Sequence, residues 1–295
     1  MYAKYADDEG VGSEVIVWPV PYEGAVSYGS GAKEGPRAIM RASLEIETWD
    51  EDYKIDIRDV ARFKTLDYFE PPVSGPKYVF RKMYEFLKQH IDPKKDFLMT
   101  LGGDHSIALA PILFYKEAYK DLFLIQIDAH ADLRDEFQGS NYSHGCVMAR
   151  VRENKVPIIQ LGIRSLCKEE SIKLEQDREI TTFFAKDLKE KTPQEVVEKL
   201  RTIIGSSPIY ITFDVDGLDP SIVPGTGTPE PGGIEFWWIW KFWRVFFEQM
   251  KNRLVGIDVC ELAPIPNQVV SESTVVKLIN RIICSYFRQT QSFIK

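Results

Sequence analysis

In the stretch "FLIQIDAHADLRD" (123–135), an apolar run ends in Asp128, His130 and Asp132, placed at every second residue. Side chains at i, i+2 and i+4 of an extended chain share a face, so three donors suited to divalent cations can converge there. The spacing recurs as Asp214 and Asp216 in "FDVDGLDP" (213–220), and His105 stands in "GGDHS" (102–106). Of the 4 histidines, His105, His130 and His144 fall in such clusters, and only His90 lies outside them. A lone Asp-x-Asp is usually a solvated loop, and a lone Gly-Gly-Asp-His is a tight turn in which Asp104 or Ser106 caps the next helix. Their joint occurrence argues for more. Such groups gathered without a counter-charge would repel and desolvate, at a cost on the order of several kcal/mol. A pair of divalent cations removes that penalty. Mixed carboxylate and imidazole donors favour manganese, or a similar borderline-hard ion, over a thiolate-bound metal. Two such ions bridging one water lower its pKa and hold the hydroxide for attack. The residues therefore point to metal-assisted hydrolysis without naming the bond.

These donors need elements to carry them. Apolar runs at 14–20, 96–102, 122–128, 156–162, 179–184, 208–214 and 253–259 read as strands. Amphipathic segments at 36–48, 76–90, 106–119, 143–154, 193–204, 236–250 and 271–288 read as helices between them. Consecutive apolar positions suit strands covered on both faces. The alternation predicts an α/β fold, a three-layer α/β/α sandwich with a mostly parallel central sheet. Ligands of such sheets sit beyond the carboxyl ends of the strands. There the chain places "GGDHS", "DAHAD" (128–132), "FDVDGLDP" and "CELAP" (260–264). "FEPPVSGP" (69–76) reads as a surface loop, and the expectation is a single domain over 1–295.

Composition narrows the class. Hydrophobic residues make up 44% and charged residues 27%, which suits a soluble globular chain. A net charge of −7 disfavours a nucleic-acid or anionic-membrane surface and suits a cationic small substrate. Cys146, Cys167, Cys260 and Cys284 form no Cys-x-x-Cys pair and read as reduced thiols in a cytoplasmic protein. The acidic start "MYAKYADDEGVGSEV" lacks the basic and apolar regions of an export signal. "IEFWWIWKFWRVFF" (234–247) is too short to span a bilayer and carries Glu235, Lys241 and Arg244. Its tryptophans, Trp237, Trp238, Trp240 and Trp243, occupy more than one helical face, so a neighbouring helix or another subunit should cover them.

The ordered motifs resemble the ureohydrolase family, the manganese enzymes that include arginase and agmatinase. The likeness runs through "PVPYEGAVSYGSGAKEGPRAI", "LGGDHS", "IDAHADLRD", "YSHG", "LGIRS", "FDVDGLDP", "PGTGTPEPGG" and "GIDVCELAP", nearly the whole length. The resemblance implies two Mn2+ ions, one held by His105, Asp128, Asp132 and Asp214. The other would be held by Asp128, His130, Asp214 and Asp216, with Asp128 and Asp214 bridging. It implies that a manganese-bridging hydroxide attacks the guanidinium carbon, and that the tetrahedral intermediate collapses to urea and an amine. Asp132 would relay a proton to the leaving amine, and His144 would transfer protons near the cleft mouth. Glu261 would accept hydrogen bonds from the guanidinium. Asp104 would orient a ligand or a water.

The loop "LRDEFQGSNYS" (133–143) bears on the substrate. Arginases carry Asn two residues after the position of Asp132, where this chain has Arg134, and Asn again where it has Tyr142. Ser140 matches arginase, but the loop is one residue shorter. "YSHG" and "LGIRS" resemble agmatinase, which implies agmatine as substrate, urea and putrescine as products, and a place in polyamine synthesis. The alternatives are arginase, guanidinobutyrase and aminopropylagmatine ureohydrolase, the last because "LRDEF" resembles archaeal and thermophile members. Arg134 is expected to pair with Asp135 or Glu136. A metal-binding relative without activity is the remote alternative, and a single-zinc deacetylase would not carry this set of motifs together. The family likeness also implies a homo-oligomer, a trimer or hexamer.

Overall fold

The computed structural model describes residues 12–24 and 26–291. The acidic start read above for an export signal lies almost wholly outside them, as does Ala25 of the "PVPYEGAV" stretch. The strands are β1 (Ser13–Val20), β2 (Trp49–Asp50), β3 (Ile55–Asp56), β4 (Ala61–Thr65), β5 (Phe97–Gly102), β6 (Phe123–Ile127), β7 (Ile158–Ile163), β8 (Ile180–Phe184), β9 (Ile209–Asp214) and β10 (Leu254–Cys260). Eight of them form one sheet in the order β4-β1-β5-β10-β9-β6-β7-β8, and β2 pairs with β3 in a separate antiparallel ribbon. Every pairing in the large sheet is parallel.

The helices are α1 (Gly35–Ala42), α2 (Pro76–His90), α3 (Leu109–Ala118), α4 (Val147–Glu153), α5 (Lys168–Gln176), α6 (Ala185–Lys189), α7 (Pro193–Ile204), α8 (Phe236–Gln249) and α9 (Val270–Gln291). Strand residues alternate between two cores. Val15, Val17, Met99, Leu101, Ile125 and Ile127 face one of them, with residues of α1, α7, α8 and α9. Ile16, Trp18, Leu98 and Leu124 face the other, with residues of α2, α3 and α4. This period of two within a sheet buried on both faces is the three-layer sandwich.

The expected helices at 76–90 and 193–204 form with those bounds. The one expected over 36–48 stops at Ala42, where the Ser43 hydroxyl donates to the Met40 carbonyl at 2.7 Å and competes with the helical ladder. The Trp-rich segment becomes α8, wedged between α7 and α9. Trp240, Phe242, Trp243 and Phe246 are buried while Trp237 is 61% exposed, so neighbouring helices account for most of its apolar surface. Among the described residues no helix is long and apolar enough to cross a membrane.

Candidate active site and metal centre

Four adjacent central strands, β5, β10, β9 and β6, deliver the chemistry at their carboxyl ends. β5 ends at Gly102, and Gly103 carries the chain against β1. A Cβ at Gly103 would lie 1.8 Å from the Tyr22 carbonyl oxygen, so only glycine fits. Asp104 then caps the short 3-10 turn His105–Ala108, accepting from Ser106 N–H at 3.0 Å and Gly24 N–H at 2.6 Å. This orients the turn that presents His105. Gly217, after β9, allows a second close approach, since a Cβ there would lie 2.7 Å from Asp128 N.

The extended geometry expected beyond β6 does not persist. The strand stops at Ile127, and Asp132 adopts a left-handed backbone with φ 52°. That conformation is uncommon for a residue with a Cβ and costs on the order of 1 kcal/mol. It brings the Asp132 carboxylate to 3.0 Å from His105 Nδ1. Nor are Asp214 and Asp216 held by strand alternation. Asp214 caps the 3-10 turn Val215–Gly217 by accepting Asp216 N–H at 2.9 Å, and Asp216 sits within that turn.

The donors converge all the same. His105 Nδ1 lies 3.2 Å from Asp128 Oδ2 and 3.5 Å from Asp214 Oδ2. His130 Nδ1 lies 3.0 Å from Asp216 Oδ2 and 3.7 Å from Asp128 Oδ1. Two three-donor groups result, His105–Asp128–Asp132 and Asp128–His130–Asp216, and Asp128 belongs to both. Asp214 adjoins the first without completing a tighter group.

Charge in this cluster is poorly compensated. Among the described residues no lysine or arginine forms an ion pair with Asp128, Asp132, Asp214, Asp216 or Glu261. Burial, with Asp128 nearby, pushes the Asp132 carboxyl up to about 7. Burial, then Asp216 and Asp128, push Asp214 well above the carboxylate range. Burial also raises Asp128, but His105 and His130 outweigh it and hold that carboxyl low. Burial disfavours the charged His130 ring, yet Asp216 and Asp128 raise it to about 12. Asp132 and Asp214 thus carry burial that favours their neutral forms, whereas Asp128 stays ionised beside the two histidines. Buried carboxylates with imidazole nitrogens among them, and no lysine or arginine paired to them among the described residues, fit a pair of divalent cations.

The cluster floors a cleft of about 220 Å³, at the small end for ligand sites. Its walls carry Glu23, Ser27, Arg134, Phe137, His144, Glu170 and Glu261. His144 Nε2 is 2.8 Å from Ser27 Oγ, and burial lowers its pKa. Glu261 follows β10 with φ 63°, and its Oε1 accepts His105 N–H at 2.7 Å. Burial, then Asp104, raise its pKa well above the usual range.

A match to the arginase family model spans residues 13–285. The chain belongs to the arginase family. It is 32% identical over 293 residues to the N(1)-aminopropylagmatine ureohydrolase of a Synechocystis species, covering 98% of this chain and 92% of that protein. It is 32% identical over 255 residues to the agmatinase of Pyrococcus horikoshii, covering 85% and 84% of the two chains. The solved structure of proclavaminate amidino hydrolase from Streptomyces clavuligerus superposes with a TM-score of 0.84 at 25% identity, covering 96% and 94%. The arginase-family fold expected from the motifs is thus the fold observed, and the chain is an enzyme of the arginase and agmatinase ureohydrolase group.

Within this arginase-family cleft, Arg134 departs from expectation. Its Nε lies 3.9 Å from Glu170 Oε2, and its guanidinium carbon 4.6 Å from the Phe137 ring centroid. Asp135, one of the two expected partners, pairs with Lys173 and lies 3.8 Å from Arg150. Glu170 also accepts Leu133 N–H at 2.9 Å and Cys167 N–H at 2.8 Å, so it clamps two walls of the cleft together. Arg164 donates to the carbonyls of Asp216, Gly217, Leu218, Gly162 and Glu230, pinning the loop after β9. Neither role was read from the sequence. "LGIRS" marks Arg164 only as part of a motif, and its partners other than Gly162 lie tens of residues away along the chain.

Proposed function

We propose that the chain is one ureohydrolase domain that hydrolyses the guanidinium group of agmatine to urea and putrescine, with manganese as its resident metal. The observation that carries this reading is the pair of three-donor groups sharing Asp128 on the floor of an acidic cleft. His105, Asp128, Asp132 and Asp214 would hold one cation, and Asp128, His130, Asp214 and Asp216 the other. When bound, the pair supplies charge stabilisation and lowers the pKa of a water into the neutral range.

The side chains do the rest. Glu261 accepts N–H bonds from the planar guanidinium and orients its carbon over the cluster. Asp132 moves a proton at Oδ2 from the attacking water to the leaving amine nitrogen. His144, held below its usual range by burial, exchanges protons at Nε2 with solvent at the cleft mouth. Glu23, on the cleft wall, favours a cationic tail. Arg134, partnered by Glu170 and Phe137, does not present a free cation to an α-carboxylate, which disfavours arginine.

A second reading, aminopropylagmatine as substrate, is favoured by the relatives of that name and by the acidic walls, which suit a longer polycation. By the same likeness we read the protein as cytoplasmic and homo-oligomeric. Light scattering should then give a trimer or hexamer mass, and a monomer would contradict that. The substrate test is urea release by the manganese-loaded chain offered agmatine, aminopropylagmatine, arginine and guanidinobutyrate in parallel. Preference for agmatine is the expected result. Preference for arginine would overturn the reading of Arg134, and urea from none of them would overturn the activity.

A further inference from the structure

On the side of the His105 ring away from the carboxylates, a buried hydrogen-bonded chain crosses two neighbouring strands. His105 Nε2 lies 2.7 Å from Thr212 Oγ1, and the Thr212 hydroxyl donates to Asp258 Oδ1 at 2.7 Å. Thr212 in β9 and Asp258 in β10 are register partners, and both are fully buried. The Cys260 thiol donates to the same Oδ1 at 3.3 Å. A threonine hydroxyl has one hydrogen to give. With that hydrogen committed to Asp258, the Thr212 oxygen can meet His105 only as an acceptor. The ring proton therefore sits on Nε2. Nδ1, on the side of Asp132, Asp128 and Asp214, is left as the nitrogen that would hold a cation.

Among the described residues, no such hydrogen-bonded chain stands behind His130. Its Nε2 is 4.0 Å from Glu230 Oε1, and its side chain is 26% exposed. The two halves of the centre are thus supported unequally.

We propose that Thr212 and Asp258 are positioning residues, which fix the tautomer and ring orientation of His105 and so set the affinity of the cation on that side of Asp128. The inference rests on the reading of the cluster as a two-cation centre. Partners behind a ligating histidine commonly contribute about 10–100-fold in metal affinity.

The test is titration of the metal-free full chain with Mn2+, followed by calorimetry and by electron paramagnetic resonance. Wild type should bind two ions as a coupled pair. Thr212→Val, close in shape but without the hydroxyl, should weaken one site by about 10–100-fold and leave the other, giving the signal of an isolated ion. Thr212→Ser should restore the pair. Asp258→Asn, a weaker acceptor of nearly the same shape, should show a smaller loss at the same site, and it serves as the probe if Thr212→Val does not fold. Two sites of wild-type affinity in Thr212→Val, or equal weakening of both, would overturn the inference. Fewer than two ions in wild type would defeat the two-cation reading itself, and this inference with it.

Discussion

Two clusters of buried charge in this protein solve the same problem in opposite ways. Beside α8 and α9, Arg281 is fully buried and donates to both oxygens of Asp50, at 2.9 and 2.7 Å, and to Asp52 at 2.7 Å. Its guanidinium carbon lies 4.5 Å from the Tyr53 ring centroid and 4.4 Å from that of Trp240, whose Nε1–H donates to Asp52 at 3.0 Å. Burial raises the Asp52 carboxyl, but Trp240 and Arg281 outweigh it and hold that group below its usual range. The cluster ties the β2–β3 ribbon to α8 and α9 and is complete within the chain. At the carboxyl edge of the sheet, carboxylates as buried as Asp50 are answered, among the described residues, by two histidines, and Asp214 is driven upward. Charge that supports the fold brings its own partner. Charge left uncompensated along a cleft is arranged for a partner from outside.

The contrast can be broken by substitution. Asp128→Ala removes a donor from both three-residue groups and should cut urea release on the order of a thousandfold or more. An active variant still carrying two manganese ions would refute the centre. Arg281→Met leaves the buried Asp50 without its cation, and should lower stability toward urea by about 3–5 kcal/mol. Asp214→Asn should raise the stability of the metal-free protein or leave it unchanged, because the amide relieves the unfavourable burial of that carboxyl beside Asp216 and Asp128 while still able to cap the turn. Equal destabilisation by both would erase the distinction. His144→Ala should lower turnover by about a hundredfold or more with metal content unchanged, and loss of metal would place His144 in the wrong role. The smallest effect concerns pH. Below about 7 the Asp132 carboxyl holds a proton that a cation must displace, so affinity falls with falling pH. The rise in melting temperature on adding manganese should be larger near about pH 8 than near about pH 6, and the reverse order would contradict the assignment.

How much was legible in the sequence followed local pattern. The apolar strand runs, the Asp-x-His-x-Asp stretch and the ordered motifs are contiguous, and they identify the parallel sheet and the donors at its edge. β4 escaped notice because it is a short edge strand in which Ala61 and Phe63 point inward while Arg62 and Lys64 face solvent, a charged pattern suited to an edge. α5, "KEESIKLEQ", has too few apolar residues to show a helical stripe, and its start rests on Glu170 accepting from Cys167 N–H. The positive φ of Asp132 and Glu261, and the support of His105 by Thr212 and Asp258, arise only when separate strand ends meet. Residue spacing in one strand cannot show them.

The central claim is that the uncompensated cluster is a two-cation centre whose chemistry is the cleavage of a guanidine. Its most direct test is urea release from agmatine, measured against manganese bound per chain as the metal-free protein is titrated. The account predicts no urea without metal and full activity only as two ions per chain are reached. Undiminished activity in the metal-free protein, or two ions bound with no urea from agmatine or the other guanidines, would contradict it.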